Sequence, residues 1–340
     1  MKPIKIRNKT IGETFPVFII AEIGSNHDGK LEQAKKLIKA AADAGADAVK
    51  FQSFSAEGLL NPLRLENKKW VPHPAYPIIK KLEMPDKWHK PLFDYAGKCG
   101  VIFLSAAFDS RKAHLLNKLG VRAFKIASGD LTDIPLLKLI AGFKKPIILS
   151  TGAAYLNEVK EAVNVIKNEG NDKIVLLQCA ALYPPKFSDS NIRAMVTLKK
   201  TFHLHVGYSD HTPGNTVPLG AVALGAKVIE KHITFSRKLK GPDHPYAMEI
   251  DEFKKMVDDI RNLEQALGSG KKEPSMSEIP ERIGARKSLY ATKDIKKGTI
   301  IKKDMIKTVR HAYGLPPKMI SAVIGKRSKY DIKKDELIII

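Results

Sequence analysis

Cysteine is nearly absent: Cys99 and Cys179 are the two in 340 residues. Two thiols so far apart make neither a disulfide framework nor a zinc motif, so both read as small buried hydrophobes. No run approaches the ~18 apolar residues of a membrane span. The N-terminus, MKPIKIRNKT, lacks the apolar stretch of a signal peptide, so the expected location is cytoplasmic. No GxGxxG turn follows the first apolar run, which makes a doubly wound nucleotide-binding sheet the runner-up architecture. Acidic residues are also in deficit: 36 Asp and Glu against 58 Lys and Arg leave a net charge of +22. The lysines are spread along the chain rather than massed in one arm. That speaks against a nucleic-acid-binding arm and for a solvated Lys-rich surface, with attraction of anionic substrates as the alternative.

What is present is a repeated alternation of apolar runs and amphipathic segments. Eight runs read as strands: VFIIAEI (17–23), AVKFQS (48–53), VIFLSA (101–106), AFKIAS (123–128), PIILST (146–151), IVLLQC (174–179), HVGYS (205–209) and VIEKHI (228–233). Between them, LEQAKKLIKAAADAG (31–45) and LNEVKEAVNVIKNEG (156–170) carry apolar residues at helical spacing and end on a capping glycine. Eight such units predict a (β/α)8 TIM barrel over 1–268, closed by a helix at 251–268. Residues 269–281, SGKKEPSMSEIPE, read as a linker. Residues 282–340 hold strand-like pieces, KSLYATKDI (287–295) and DELIII (335–340), and read as a small second domain.

Barrels of this kind carry their chemistry at the C-terminal strand ends. Those ends are rich in polar residues: Glu22, then Ser25, Asn26 and His27; Lys50 and Gln52; Ser105; Lys125 and Ser128; Ser150 and Thr151; Gln178, reaching Tyr183; Ser209, Asp210 and His211; Glu230, Lys231 and His232. Ionisable groups in strands are costly unless paired or used, so the whole set points to a site rather than a core. His211 and His232 end neighbouring strands and could share one divalent metal ion, with positions left open for water and substrate. Lysines and hydroxyls in the same mouth suit a phosphate or carboxylate. The residues alone predict an enzyme acting on an anionic, phosphorylated small molecule.

Six segments then resemble one family: AEIGSNHDG (21–29), AGADAVKFQ (44–52), FKIASGD (124–130), GYSDHTPG (207–214), VIEKHIT (228–234) and GPDH (241–244). They are similar to the sialic acid synthases, which make N-acetylneuraminate and other nonulosonic acids. The tail RKSLYATKDIKKGTIIKKDMI (286–306) resembles the SAF (antifreeze-like, β-clip) domain of those enzymes. The resemblance implies a C–C bond-forming transferase that joins phosphoenolpyruvate to an N-acyl hexosamine, with release of phosphate by C–O cleavage. It implies Mn2+ or Mg2+ on His211 and His232, and Glu22 as the group that orients water or shuttles a proton. Lys50, Lys125, Ser128, Ser150 and Ser209 match phosphoenolpyruvate-binding positions. Gln52, Tyr183, Glu230 and Asp243 match sugar-side or metal-side positions. Arg310 matches an arginine that reaches the partner's site in a domain-swapped homodimer; neither nucleic acid nor membrane is an expected partner.

The chain departs from the family pattern at three places. Ala106, in SAAF (105–108), stands where the family has a hydroxyl; Ala181, in CAALYP (179–184), replaces another polar ligand; and RHAYG (310–314) replaces Arg-Pro-Gly. The two alanines leave open an alternative, a diverged barrel with a different acceptor or donor. Gln178 or Lys186 would be the nearest groups to compensate.

Overall fold

The computed structural model describes all 340 residues, which form two compact units, Met1–Gly268 and Ser269–Ile340. In the first unit eight parallel strands close into a barrel: Phe18–Glu22, Ala48–Ser53, Ile102–Ala107, Phe124–Ile126, Ile147–Ser150, Ile174–Cys179, His205–Asp210 and Val228–Thr234. Each pairs with its neighbour, and the eighth pairs with both the seventh and the first. Each expected strand is present, within a few residues of its expected ends.

Strand side chains alternate between two faces. Inward residues such as Ile20, Ala48, Leu104, Ile148, Val175, Leu177 and Val228 form one apolar cluster. Outward residues such as Ile19, Val49, Phe103, Leu149, Leu176 and Ile229 pack against the helices in a second. The helix Leu31–Asp43 buries Ala34, Leu37, Ile38 and Ala41, the stripe its spacing predicts, and the last barrel helix is Ile250–Leu267. Gly207 sits inward where the seventh and eighth strands crowd: a Cβ there would lie 2.2 Å from the Val228 carbonyl oxygen, so no larger residue fits.

An antiparallel hairpin, Ile4–Ile6 with Lys9–Ile11, was not foreseen. Its Ile4, Ile6 and Ile11 join the inner cluster beside the first residues of several strands, and His205 Nε2 lies 2.9 Å from the Lys2 carbonyl. The hairpin therefore plugs the N-terminal end of the barrel and leaves the other end as the mouth. A second unforeseen hairpin, Leu63–Glu66 with Lys69–Pro72, follows the second barrel strand. Its turn residues Asn67 and Lys68 both have positive φ, the geometry of a two-residue hairpin loop.

The second unit contains the helix Ile279–Ala285, which starts inside the segment read as linker, and an antiparallel pair, Lys287–Ala291 with Ile306–Arg310. Its core is Leu289, Ala291, Ile295, Ile301, Ile306, Val323, Ile332 and Ile338. The expected strand at 287–295 stops at Ala291, and 335–340 makes a single bridge, Leu337 to Tyr290, instead of a strand. No helix of the chain is long and apolar enough to cross a membrane.

Candidate active site at the barrel mouth

The alternation that builds the core also sorts the polar strand ends. Lys50, Gln52, Lys125, Ser150, Ser209, His211, Glu230 and His232 face inward and line a cavity of about 450 Å³ with Ser128, Tyr183 and Asp243. Glu22 faces the same interior and accepts a hydrogen bond from Gln52 Nε2 at 3.0 Å.

Other polar strand ends turn away. Ser105 is buried behind the wall, 2.6 Å from Ser53 Oγ, which in turn meets His89 Nε2 at 2.7 Å. Thr151 donates its hydroxyl to the Leu177 carbonyl, and Gln178 reaches the Ser190 carbonyl at 3.4 Å. Asp210 and Lys231 pair at 2.5 Å outside the barrel, and Asp210 also accepts from the Thr212 amide and hydroxyl. Lys231 further donates to the carbonyls of Thr212 and Gly214. In the run Ser209-Asp210-His211, then, the outer residues face the cavity and the middle one clasps the turn that follows. Neither Gln178 nor Lys186 lines the cavity, so neither replaces the groups missing at Ala106 and Ala181, both of which do line it.

Two buried lysines organise the interior. Lys50 Nζ lies 3.1 Å from Glu22 Oε2 and 3.3 Å from Glu230 Oε1. Lys125 Nζ donates to Ser150 Oγ at 2.6 Å and to the Ile126 carbonyl at 3.0 Å, and stands 4.0 Å from Glu230 Oε1. Ser209 donates to Glu230 Oε1 at 3.0 Å. The environments push the two carboxyls apart. Burial raises Glu22 to about 7, with Lys50 opposing and Glu230 reinforcing. Burial would raise Glu230 too, but Lys125 and Lys50 outweigh it and hold it at about 2. One carboxyl is thus a fixed anion, and the other exchanges its proton near neutrality, the arrangement acid–base chemistry requires. Burial lowers Lys50, yet its two carboxylates win and keep it above the ordinary lysine value. Lys125 falls below it, chiefly through burial, with Glu230 opposing and Lys50 adding repulsion.

His211 and His232 face each other across 5.4 Å between ring centroids. Burial lowers both to about 4, so at neutral pH the imidazoles are uncharged with a lone pair to give. His211 Nδ1 lies 3.1 Å from the Ala180 carbonyl; a proton there leaves Nε2 as the free donor atom. His232 Nδ1 is buried without a hydrogen-bond partner, with Asp243 Oδ2 at 3.9 Å. The pair fits a divalent cation, and no third His, Cys, Asp or Glu closes a cage around it. Such a site would stay open to substrate.

Asp243 is held from several sides. Its Oδ2 accepts from the Ser25 amide at 2.9 Å and its Oδ1 from the Tyr246 hydroxyl at 2.7 Å. Gly24, with φ of +52°, lets the chain pass: a Cβ there would lie 2.5 Å from Asp243 Oδ2. Tyr246 was missed from the sequence, yet it lines the cavity and its ring packs 5.1 Å from His232 and 5.3 Å from Tyr183. An aromatic three residues after the Asp of GPDH was the available signal. Cys179 also lines the cavity, its sulfur 3.3 Å from Ser128 Oγ, so it is buried at the site rather than in the core. Arg310 belongs to the second unit, at the exposed end of Ile306–Arg310.

A family model described as "NeuB family" matches residues 37–272, and one described as "SAF domain" matches 286–338. The chain is 45% identical to an N,N'-diacetyllegionaminic acid synthase of Campylobacter jejuni, over 94% of its own length and 98% of the relative's. It is 40% identical to a pseudaminic acid synthase of the same organism, over 93% and 94% of the two chains. The crystal structure of a sialic acid synthetase from Leptospira borgpetersenii, in complex with citrate, superposes with a TM-score of 0.76 at 38% identity, covering 82% of this chain and 95% of that one. The chain belongs to the NeuB family of nonulosonic acid synthases, with a SAF domain at its C-terminus.

Proposed function

We propose that this chain condenses phosphoenolpyruvate with an N-acyl hexosamine resembling N-acetylmannosamine to give a nonulosonic acid and phosphate. In this reaction C3 of phosphoenolpyruvate bonds to the acceptor's aldehyde carbon. Water adds at C2, and phosphate leaves with its bridging oxygen. Lys50, Lys125, Ser128, Ser150 and Ser209 bind the carboxylate and phosphate of the donor. Glu22 orients the water or moves its proton. Gln52, Tyr183, Glu230 and Asp243 face the acceptor. A divalent cation, Mn2+ or Mg2+, held by His211 and His232 supplies Lewis-acid polarisation of the acceptor carbonyl when bound.

The observation that carries this reading is Lys50 set between Glu22 and Glu230 with the Lys125–Ser150 pair beside it, all facing the cavity the two imidazoles share. The test is phosphate release from phosphoenolpyruvate with Mn2+ and a panel of free and 6-phosphorylated N-acyl hexosamines. Release that requires the acceptor is expected, and no release across the panel would overturn the reading. The second reading, a different donor or acceptor on the same barrel, is favoured by the two apolar methyls of Ala106 and Ala181 in the cavity wall.

The working unit in this proposal is a domain-swapped homodimer, in which Arg310 of one copy completes the acceptor side of the other. Replacing Arg310 with Ala should raise the acceptor KM and leave the donor KM in place. Equal changes in both would contradict the swap.

A further inference from the structure

His244 lies outside the cavity and is buried to 1% exposure, immediately after Asp243. Its two ring nitrogens are both engaged. Nε2 meets Asp28 Oδ1 at 2.9 Å, and Nδ1 meets Thr234 Oγ1 at 2.7 Å. Thr234 ends the eighth barrel strand, and Asp28 belongs to the loop after the first. Asp28 is itself braced, accepting from Gln33 Nε2 at 2.5 Å. The same two regions are tied a second time, through Asn26 Nδ2 to the Ile233 carbonyl at 2.8 Å. Gly241 is shaped to the ring: a Cβ there would lie 2.8 Å from His244 Cδ2.

We infer that the Thr234–His244–Asp28 chain is a positioning device for the Asp243 carboxylate, with His244 as its central residue. A buried imidazole with two partners on different segments has one orientation available to it. Fixing its Cα fixes the backbone of the residue before it. Asp243 then presents Oδ2 to the Ser25 amide and toward His232, and Oδ1 to the Tyr246 hydroxyl. The device joins the first and eighth strand ends, where Glu22, Glu230 and Asp243 lie. Lys125, Ser150 and Ser209 stand on the fourth, fifth and seventh strands and take no part in it. In its kinetic consequence this inference rests on the proposed function, but its geometric core does not.

The first measurement is therefore amide hydrogen exchange of the full chain. Replacing His244 with Ala, or Thr234 with Val, should speed exchange at the Ser25 amide by about tenfold or more, because its acceptor is no longer held. The Thr151 amide, which donates to the Leu177 carbonyl in a different part of the barrel, should be unchanged. The second is steady-state kinetics with Mn2+, phosphoenolpyruvate and the acceptor giving the fastest phosphate release. The acceptor KM should rise about 10- to 100-fold, the range for residues that orient a functional group from behind, with the donor KM unmoved. His244→Asn, whose amide can still reach Thr234, should recover part of the loss and also covers a failure of the Ala variant to fold. Unchanged exchange at Ser25, faster exchange at Ser25 and Thr151 alike, or equal shifts in both KM values would each overturn the inference. Absence of phosphate release from the unmodified chain would instead count against the synthase reading and leave the exchange result to decide this one.

Discussion

The strand ends of the barrel carry polar residues on both faces, and the two faces are finished differently. On the outer face Asp210 and Lys231 form a closed arrangement: the carboxylate meets an ammonium, an amide and a hydroxyl, and the ammonium reaches two carbonyls. Ser53, Ser105 and His89 form another closed chain. On the inner face bonding is left incomplete. Glu230 Oε2 and His232 Nδ1 are buried without hydrogen-bond partners, and Glu22 Oε2 has Lys50 alone, at 3.1 Å. A buried polar atom without a partner costs roughly 1–3 kcal/mol, so several at one place need a compensating role. The contrast teaches that burial and polarity do not mark a site by themselves. What separates the two faces is whether the groups satisfy one another or wait for a ligand.

That contrast can be broken by substitution. Replacing His211 or His232 with Ala should reduce turnover by roughly 10³-fold or more, because the proposed cation would lose half of its protein ligands. The melting temperature should stay within a few degrees of the unmodified chain, since both rings line the open cavity rather than the packed core. Lys231→Met is the counterpart on the outer face. Breaking a buried pair by removing one member costs about 3–5 kcal/mol, visible in denaturant unfolding, while both KM values should hold. A Lys231 variant with normal stability and an altered KM would erase the distinction between the faces.

A smaller effect sharpens the comparison from the inside. Ala106→Thr and Ala181→Asn place a hydroxyl and an amide on the cavity wall. A hydrogen bond to a charged group contributes about 1.5–3 kcal/mol, so each should lower the donor KM by roughly 10- to 100-fold if phosphoenolpyruvate is the donor. No change would show that the wall at those points does not touch the donor.

Much of this was legible in the sequence. The eight strands and the barrel followed from runs of apolar residues at regular spacing, and the six short motifs carry residues that the fold brings together at one cavity. The facing of each residue was legible in principle from period-two alternation, which separates Ser209 and His211 from Asp210, and Lys50 and Gln52 from Ser53. Treating strand ends as a set, without counting faces, put Ser105, Thr151 and Gln178 beside the inward residues. Gln178 as a substitute for lost ligands fails for that reason. The hairpin at Leu63–Pro72 escaped because Asn67-Lys68 lacks the glycine that usually marks a two-residue turn. The plug at Ile4–Ile11 escaped because its strands are three residues each, too short for periodicity to register. His244 makes tertiary contacts with Asp28 and Thr234, and no local pattern announces such partners.

The most direct test of the inner face is Mn2+ binding, followed by electron paramagnetic resonance on the substrate-free protein. The account predicts one bound Mn2+ per barrel, lost in His211→Ala and in His232→Ala and retained in Lys231→Met. Binding that survives both histidine substitutions, or that disappears with Lys231, would contradict it.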